Sequence, residues 1–229
     1  TLLNILTKYC VFTTNETLLV MRPYQIVAAE RIINKVNIAN NYNKYSDINS
    51  CGYIFHTTGS GKTLTSFKTA QLISQNNYID KTIFAVDRKD LDYQTMKEFD
   101  KFKKGAVNGN RSTAKLKEQL EDDNCRIIVT TIQKLSNFTK KYKNHPVFGK
   151  KIVFIFDECH RSQFGKMRAG IVKAFKKFLM YGFTGTPIFT ANAGAIKDPT
   201  CYTTEQAFGE QLHAYTIINA VNDKNVLPF

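Results

Sequence analysis

Apolar runs alternate along the chain with segments of helical periodicity. Five runs predict buried strands, at residues 53–55, 81–86, 126–130, 152–156 and 178–183. Helices are predicted at residues 64–74, 91–101, 111–120 and 166–177, and an earlier helix follows Pro23 with apolar positions at Ile26, Ala29, Ile33 and Val36. Near-continuous apolar strands that alternate with helices are typical of a parallel sheet covered on both faces. We therefore expect an α/β fold built on a mainly parallel sheet.

The first of these strands leads into a glycine-rich turn that opens a helix. Residues 58–63 read TGSGKT. In this arrangement the glycines let backbone N–H groups converge on a phosphate, and the helix N-terminus adds positive partial charge. Lys62 is expected to reach the β- and γ-phosphates, and the hydroxyl of Thr63 to bind Mg²⁺. The alternative is a glycine-rich turn that binds nothing.

One position departs from the full phosphate-loop pattern. The pattern G-x-x-x-x-G-K-[ST] has a glycine where this chain has His56. The three residues before the lysine build the cradle, so we expect this difference to leave the loop functional.

Polar, motif-like residues follow the other strands. They read DRKD at 87–90, TTIQ at 130–133, DECH at 157–160 and TGTP at 184–187. In open α/β sheets the binding crevice lies outside the carboxyl ends of the strands. We therefore expect these segments and the glycine-rich turn to meet along one edge of the sheet.

An acidic pair, Asp157 and Glu158, follows the most apolar strand. Because Mg²⁺ keeps several waters, we expect Asp157 to hold the ion through a water while Thr63 binds it directly. Glu158 is then placed to orient or deprotonate the water that attacks a γ-phosphorus. The alternative is that the pair only caps the next segment. We expect His160 to sense the γ-phosphate, rather than only to satisfy a local hydrogen bond.

The charge balance adds a candidate partner. The 229 residues include 32 Lys+Arg and 19 Asp+Glu, a net charge of +13, and can form one large or two small domains. Such a basic domain commonly binds a polyanion, here nucleic acid, whereas the alternative is that the charge only maintains solubility. Nine lysines could add diffuse attraction, although each alone is better explained as a solvated surface residue: those at 97, 101, 103, 104, 140, 141, 143, 176 and 177.

Five cysteines, an odd number without a C-x-x-C pair, argue against a disulfide framework and a structural zinc site. We expect a reducing compartment and small, buried roles for Cys51, Cys125 and Cys159. No apolar run approaches the roughly 20 residues of a membrane span, and no secretory signal opens the chain. A cytoplasmic location without a membrane partner is expected. Because the chain opens at Thr1 rather than at a methionine, we expect a fragment or an excised domain.

The motifs at 59–63, 157–160 and 184–187 resemble the phosphate-loop, DExH and third motifs of superfamily 2 helicases and translocases. Longer strings are similar to the motor (R) subunit of type I restriction enzymes: HTTGSGKTLTS, VDRKDLDYQT, VTTIQKL, FDECHRSQFG and FTGTPIF. The closing segment, AFGEQLHAYTIINAVNDKNVLPF, resembles that family's linker into a second motor lobe. The resemblance extends from about Leu2 to Phe229.

The resemblance implies a RecA-like three-layer sandwich, a P-loop NTPase that forms the first lobe of an ATP-driven translocase on double-stranded DNA. It implies a nuclease-side tail at residues 1–20, motor lobe 1 at 21–204 and a linker at 205–229. The methyltransferase and specificity subunits of a type I restriction-modification complex are the implied protein partners. The second RecA-like lobe, with its arginine, and the nuclease domain of the PD…ExK kind are missing. We therefore expect weak binding and poor hydrolysis of Mg-ATP by this chain alone.

The resemblance also assigns roles to particular residues. Gln25 matches the residue that binds the adenine edge, within an ATP-binding set of Arg22, Gln25, Thr58, Gly59, Ser60, Gly61, Lys62 and Thr63. The implied catalytic residues are Lys62, Asp157, Glu158 and His160. Contacts to the DNA backbone are implied for Arg88, Thr130, Thr131 and Gln133, whose donor groups suit phosphate oxygens. Thr184, Gly185 and Thr186 are implied to couple the nucleotide state to the binding of DNA.

Two alternative functions remain open. Another superfamily 2 helicase or a type III restriction subunit is disfavoured by the HRSQFG string that continues from the acidic pair. A nucleotide-binding module without hydrolysis is disfavoured by the intact Lys62, Thr63, Asp157 and Glu158.

Overall fold

The main sheet has six strands, all of which run in the same direction. A computed structural model describes residues 2–13, 15–86, 113–162, 166–192 and 203–225. The strands are β1 Cys10–Phe12, β2 Leu18–Val20, β3 Gly52–His56, β4 Lys81–Val86, β5 Ile127–Thr131, β6 Lys151–Phe156, β7 Lys177–Thr184 and β8 Gln211–Tyr215. The helices are α1 Leu2–Lys8, α2 Pro23–Asn41, α3 Lys62–Ser74, α4 Thr113–Glu121, α5 Ile132–Lys141, α6 Cys159–Ser162, α7 Lys166–Ala174, α8 Thr204–Phe208 and α9 Ile217–Asn222.

The spatial order of the main sheet is β5-β4-β6-β7-β3-β8. Strand β3 therefore lies between β7 and β8, and β6 lies beside β7. The short strands β1 and β2 form a separate antiparallel pair. The expectation of a mainly parallel sheet is confirmed.

Two apolar layers cover the faces of this sheet. Along β6, Phe154 and Phe156 pack into a cluster with residues of α4, α5 and α7, whereas Val153 and Ile155 pack into a cluster with residues of α2 and α3. Successive residues of a strand point to opposite faces, so one apolar strand serves both layers. The result is the expected three-layer α/β sandwich.

The strands expected from apolar runs are all present, but some helices differ from the expectation. Helix α5 was not predicted, although Ile132, Leu135 and Phe138 are buried at helical spacing. Helix α3 begins at Lys62, two residues before its expected start. Helix α7 ends at Ala174 because β7 already begins at Lys177. The expected helix at 91–101 lies outside the described residues.

The expected apolar stripe of α2 is partly wrong. Ala29 and Val36 are buried as expected, but Ile26 and Ile33 are only partly buried. The face that packs on the sheet is instead Gln25, Ala28, Ala29, Ile32, Val36 and Ala39. A polar residue, Gln25, thus belongs to the buried stripe.

Residues on both sides of the expected lobe boundaries pack on the lobe. Val11 of β1 joins the apolar cluster of α2 and α3, and Lys68 Nζ donates to Cys10 O at 2.9 Å. Strand β8 lies within the segment expected to be a linker, yet it pairs with β3 over four residues. The assignment of residues 1–20, 21–204 and 205–229 to separate regions stays a prediction.

Four cysteines are free in the described part of the chain. Cys51 and Cys159 are buried as expected, whereas Cys125 is only partly buried. Burial raises the pKa of Cys51 to about 11 and also raises the pKa of Cys159, so both are neutral thiols at physiological pH. No helix among the described residues is both long and apolar enough to cross a membrane.

Gly182 of β7 provides a test of the sandwich. A Cβ at this position would lie 2.6 Å from Cys159 Sγ. We expect Gly182→Ala to lower the free energy of unfolding by about 1–3 kcal/mol through overpacking, measured by urea unfolding. Gly170→Ala is the matched control, because a Cβ in this helical position meets no atom of the described residues within 4 Å. It should raise the free energy of unfolding by about 0.5–1 kcal/mol, and equal effects of the two substitutions would contradict this packing.

Candidate active site

The carboxyl ends of three neighbouring strands, β3, β7 and β6, bring the central motifs together. The glycine-rich loop follows β3, residues 184–187 follow β7 from its last residue onward, and Asp157 follows β6. The expected convergence is confirmed for these segments. Residues 130–133 end β5 at the same edge, but β4 and β6 separate them from β7. Residues 87–90 lie outside the described residues.

The loop has the backbone geometry of an anion cradle. Gly59 and Gly61 have φ values of +79° and +75°, in the left-handed region that glycine adopts without strain. Gly61 is the N-cap of α3, and no side chain among the described residues caps this helix, which leaves the N–H groups of its first turn available. Ser60 closes the loop, because its Oγ donates to Thr57 O at 2.6 Å.

Gln25 holds the loop through a hydrogen bond to its backbone. Its Nε2 donates to Ser60 O at 3.0 Å, and its Oε1 accepts from Arg22 N at 2.8 Å. A Cβ on Gly61 would lie 2.6 Å from Gln25 Nε2, so this contact also requires glycine. Both ends of the amide thus bind the protein, and the contact of Gln25 with an adenine edge stays a prediction.

Lys62 contacts the carboxylate expected to orient the attacking water. Its Nζ lies 3.3 Å from Glu158 Oε1, and the Lys62 side chain is only 8% exposed. The cation expected to bind phosphate is therefore neutralised by a neighbour within the site.

Glu158 has a strained backbone. Its φ is +42°, which is unfavourable for a residue with a Cβ, and its N–H donates to Asp157 Oδ1 at 3.0 Å. Strain of this kind persists where the surrounding structure enforces it, and it is common at functional sites. The acidic pair is thus held in one arrangement, and its metal-binding and water-orienting roles stay predictions.

A polar chain continues from Glu158 to the end of β7. His160 Nδ1 lies 3.5 Å from Glu158 Oε2 and 2.9 Å from Thr184 Oγ1. The Thr186 N–H donates to the same Thr184 oxygen at 3.0 Å. These contacts link the segment after β6 to the end of β7, and the Lys62–Glu158 contact links both to the loop. The sensing and coupling roles of these residues stay predictions.

Gly185 allows the turn after β7 to approach the loop. A Cβ there would lie 3.3 Å from both His56 O and Lys62 Nζ, and 3.4 Å from Thr58 Oγ1. The absence of a side chain at 185 thus leaves the space above the lysine open.

His56 replaces a glycine of the phosphate-loop pattern without entering the cradle. Its ring is fully buried at the end of β3, where Nε2 lies 2.9 Å from His213 Nδ1 of β8. Burial lowers the pKa of His56 to about 3, and His213 and Lys62 add to the shift. The imidazole is therefore neutral at physiological pH. The expectation that this position leaves the cradle intact agrees with the geometry.

The residues present fit a nucleotide phosphate chain with Mg²⁺. The cradle supplies N–H groups and a lysine, and glycine at 185 leaves room beside that lysine. Thr63 Oγ1 makes no hydrogen bond within the described part of the chain, and the Asp157 carboxylate lies at the end of the adjacent β6. A hydroxyl and a carboxylate are oxygen ligands of the kind Mg²⁺ prefers.

The described residues expected to contact DNA are mostly inside the protein. Thr130 and Thr131 are buried, and Thr131 Oγ1 accepts from Lys134 N at 3.2 Å as the cap of α5. Gln133 is partly buried. Neither threonine hydroxyl is exposed in this arrangement, so their DNA contacts stay predictions that require the backbone or a rearrangement. Arg88 lies outside the described residues.

A pocket of about 730 Å³ opens at Tyr24, whose hydroxyl donates to Ser60 O of the loop. It is lined by Arg22, Pro23, Tyr24, His213, Ala214, Tyr215, Asn219, Asn222, Asp223 and Asn225. Of the ATP-binding residues expected from the sequence, Arg22 lines it. The aromatic residues and the C-terminal residues of its wall were missed, because no sequence spacing relates positions that only the pairing of β8 with β3 brings together.

A family model described as SWI2/SNF2 ATPase matches residues 24–229. The chain is also 51% identical over 180 residues to the C-terminal part of the type I restriction enzyme MpnIIP endonuclease subunit of Mycoplasma pneumoniae, covering 76% of this chain and 87% of that relative. The chain belongs to the endonuclease subunits of type I restriction enzymes, in their SWI2/SNF2 ATPase region.

Two further comparisons agree with this assignment. The chain is 44% identical over 236 residues to the endonuclease subunit of the type I restriction enzyme SauMSSORF170P of Staphylococcus aureus, and the alignment covers 100% of this chain. The chain spans 24% of the length of that relative. Among solved structures, the ATP-dependent Type ISP restriction-modification enzyme LlaBIII bound to DNA superposes with a TM-score of 0.57 at 18% identity, covering 92% of this chain and 16% of that one. This structural likeness supports the RecA-like fold.

Gly61 and Gly59 give a matched test of the loop. Both have positive φ, but only a Cβ at 61 would meet Gln25, whereas 59 is open. We expect Gly59→Ala to lower the free energy of unfolding by about 1–2 kcal/mol through backbone strain. Gly61→Ala should cost about 1 kcal/mol more, since it also breaks a hydrogen bond of Gln25, as measured by urea unfolding. Equal losses would show that Gln25 does not restrict residue 61.

Proposed function

We propose that this chain is the first motor lobe of a type I restriction endonuclease subunit, which uses ATP hydrolysis to move along double-stranded DNA. The observation that supports it most is the convergence of Lys62, Glu158, His160 and Thr184 at the glycine-rich loop. A loop that only bound a phosphate would not require the strained backbone of Glu158. It would also not require the polar contacts that link Glu158 through His160 to the end of β7.

In this proposal the loop N–H groups and Lys62 bind the β- and γ-phosphates of ATP. Thr63 and Asp157 hold Mg²⁺, which supplies charge neutralisation at the phosphate oxygens. Tyr24 binds Ser60 O of the loop and, together with Arg22, lines the pocket that receives the nucleoside end. Purine recognition by Gln25 then requires an exchange of its present bonds to Ser60 O, Gly61 O and Arg22 N.

Glu158 orients the water that attacks the γ-phosphorus and accepts its proton, while ADP leaves. Because Lys62 contacts Glu158, phosphate binding by Lys62 precedes the action of Glu158 on the water. When Lys62 turns to a phosphate, the Glu158 carboxylate is released from its ion pair and can accept a hydrogen bond from the attacking water. The link from Glu158 through His160 to Thr184 then carries the change to the end of β7.

Double-stranded DNA is the proposed polyanion for a chain of net charge +13. Arg88, Thr130, Thr131 and Gln133 contact its backbone, which gives grip without sequence preference. A second RecA-like lobe completes the ATP site, and the methyltransferase and specificity subunits supply target recognition, in the bacterial cytoplasm. DNA cleavage belongs to the whole restriction subunit, outside the residues of this lobe.

Replacing Lys62 tests the phosphate site. Lys62→Ala removes a charge-assisted phosphate contact of about 1.5–3 kcal/mol, so Mg-ATP affinity should fall by about 10- to 100-fold. The measurement is equilibrium binding of a fluorescent ATP analogue with Mg²⁺. Lys140→Ala, an exposed change on α5, is the control and should bind as the unaltered chain does. Undiminished binding by Lys62→Ala would refute the phosphate-loop assignment.

Movement on DNA is tested in the complete subunit with its methyltransferase and specificity partners. With Mg-ATP, the complex should displace a triplex-forming strand from linear duplex without unwinding a forked duplex. Glu158→Gln keeps the side-chain shape but removes the base, so it should bind ATP and displace nothing. Unwinding of the fork would instead indicate a strand-separating helicase, and displacement by Glu158→Gln would remove that residue from its proposed role.

A further inference from the structure

Strand β8 contacts the glycine-rich loop from the edge of the sheet. The N–H of Thr57, the first residue of the loop, donates to Tyr215 O at 2.9 Å. Tyr215 is the last residue of β8 and is buried. The start of the loop is therefore fixed to the end of a strand that lies far away in the sequence.

A second connection runs through two aromatic rings. Tyr24 and Tyr215 stack with ring centroids 3.6 Å apart and an interplanar angle of 7°. The hydroxyl of Tyr24 donates to Ser60 O at 2.8 Å, at the same carbonyl that Gln25 binds. Burial raises the pKa of Tyr24, so this hydroxyl stays protonated and remains a donor. The ring of Tyr215 thus packs against the residue that binds the loop carbonyl.

Tyr215 is in turn tied to the segment that follows β8. Its hydroxyl donates to Asp223 Oδ2 at 2.9 Å and accepts from Asn225 Nδ2 at 2.6 Å. Asn225 Oδ1 also accepts from the Arg22 guanidinium, two residues before Tyr24. Asp223 and Asn225 are exposed, so their contacts are with this aromatic pair and its surroundings rather than with the core.

We propose that Tyr24 and Tyr215 are positioning residues that couple the segment 216–225 to the phosphate-binding loop. The order of contacts is Asp223 and Asn225 to Tyr215, Tyr215 to Tyr24, and Tyr24 to Ser60. When the segment is held as described here, the loop carbonyl is fixed and the cradle is preformed. Phosphate affinity therefore depends on the segment, and by reciprocity a bound phosphate chain stabilises the segment. The proposal rests on phosphate binding by the loop, as proposed above.

The experiment measures binding of two Mg²⁺ complexes, those of AMPPNP and of inorganic tripolyphosphate, which lacks a base. Tyr215→Leu removes the stacked ring and should weaken both by about tenfold. Tyr215→Phe keeps the ring but loses the bonds to Asp223 and Asn225, and should weaken both by about threefold, as should Asn225→Ala. Tyr42→Leu is the matched control, because Tyr42 is 72% exposed at the end of α2. If Tyr215→Leu does not fold, Tyr215→Phe and Asn225→Ala carry the test.

Hydrogen exchange adds a readout that a merely structural role would not change. Saturating Mg-AMPPNP should slow exchange at residues 216–225 in the unaltered chain, whereas Tyr215→Phe, equally saturated, should lose this protection. Persistence of the protection in Tyr215→Phe would overturn the proposal.

The two ligands separate the remaining outcomes. Weaker binding of AMPPNP alone would show that the rings act only on the nucleoside, whose pocket they line, and it would overturn the positioning role. Unchanged affinity for both ligands, with Lys62→Ala defective, would overturn this inference and leave the proposed function intact. Failure of the unaltered chain to bind either ligand would overturn both.

Discussion

The parallel pairing of β6, β7 and β3 is the constraint on which the candidate site depends. Neighbouring strands lie about 5 Å apart, so their carboxyl ends can present three loops to one small volume. The loop after β3 supplies the cradle, the residues after β6 supply the carboxylates, and the end of β7 supplies Thr184. None of the three loops forms the site alone. The apolar residues of these strands, which pack on both faces, therefore determine the geometry of the polar ones.

Specific side-chain contacts hold the phosphate-binding loop in place. Gln25, Tyr24 and Ser60 bind the loop backbone, and His56 lies beneath it in a neutral pair with His213. Buried polar groups of this kind are costly unless they are paired, so each restricts its partner to one position. Rigid support allows N–H groups to point at a ligand before it arrives, and preorganisation lowers the entropic cost of binding.

The sequence predicted the parts of the molecule whose chemistry needs fixed spacing or continuous apolar runs. Buried strands such as β4 and β6, the residues 58–63 and the acidic pair after β6 could all be identified in this way. Strand β8 could not, because Gln211, His213 and Ala214 are not buried and the pattern of this edge strand is weak. Gln25 was predicted to contact a ligand, and the structure also places it in the buried stripe of α2. The stacking of Tyr24 on Tyr215 depends on topology, so no local pattern could reveal it.

In the proposed phosphate site, the ion pair between Lys62 and Glu158 would act before any nucleotide is present. In a chain of net charge +13, an unpaired and nearly buried ammonium beside open N–H groups would be a trap for chloride, sulfate or stray phosphodiesters. An internal carboxylate competes with such anions at a very high effective concentration, because it is tethered within contact distance. Only a ligand that engages the lysine, the loop N–H groups and the oxygen ligands of the site together can displace it. In the proposed function, the resting site would therefore favour polyphosphates over simple anions.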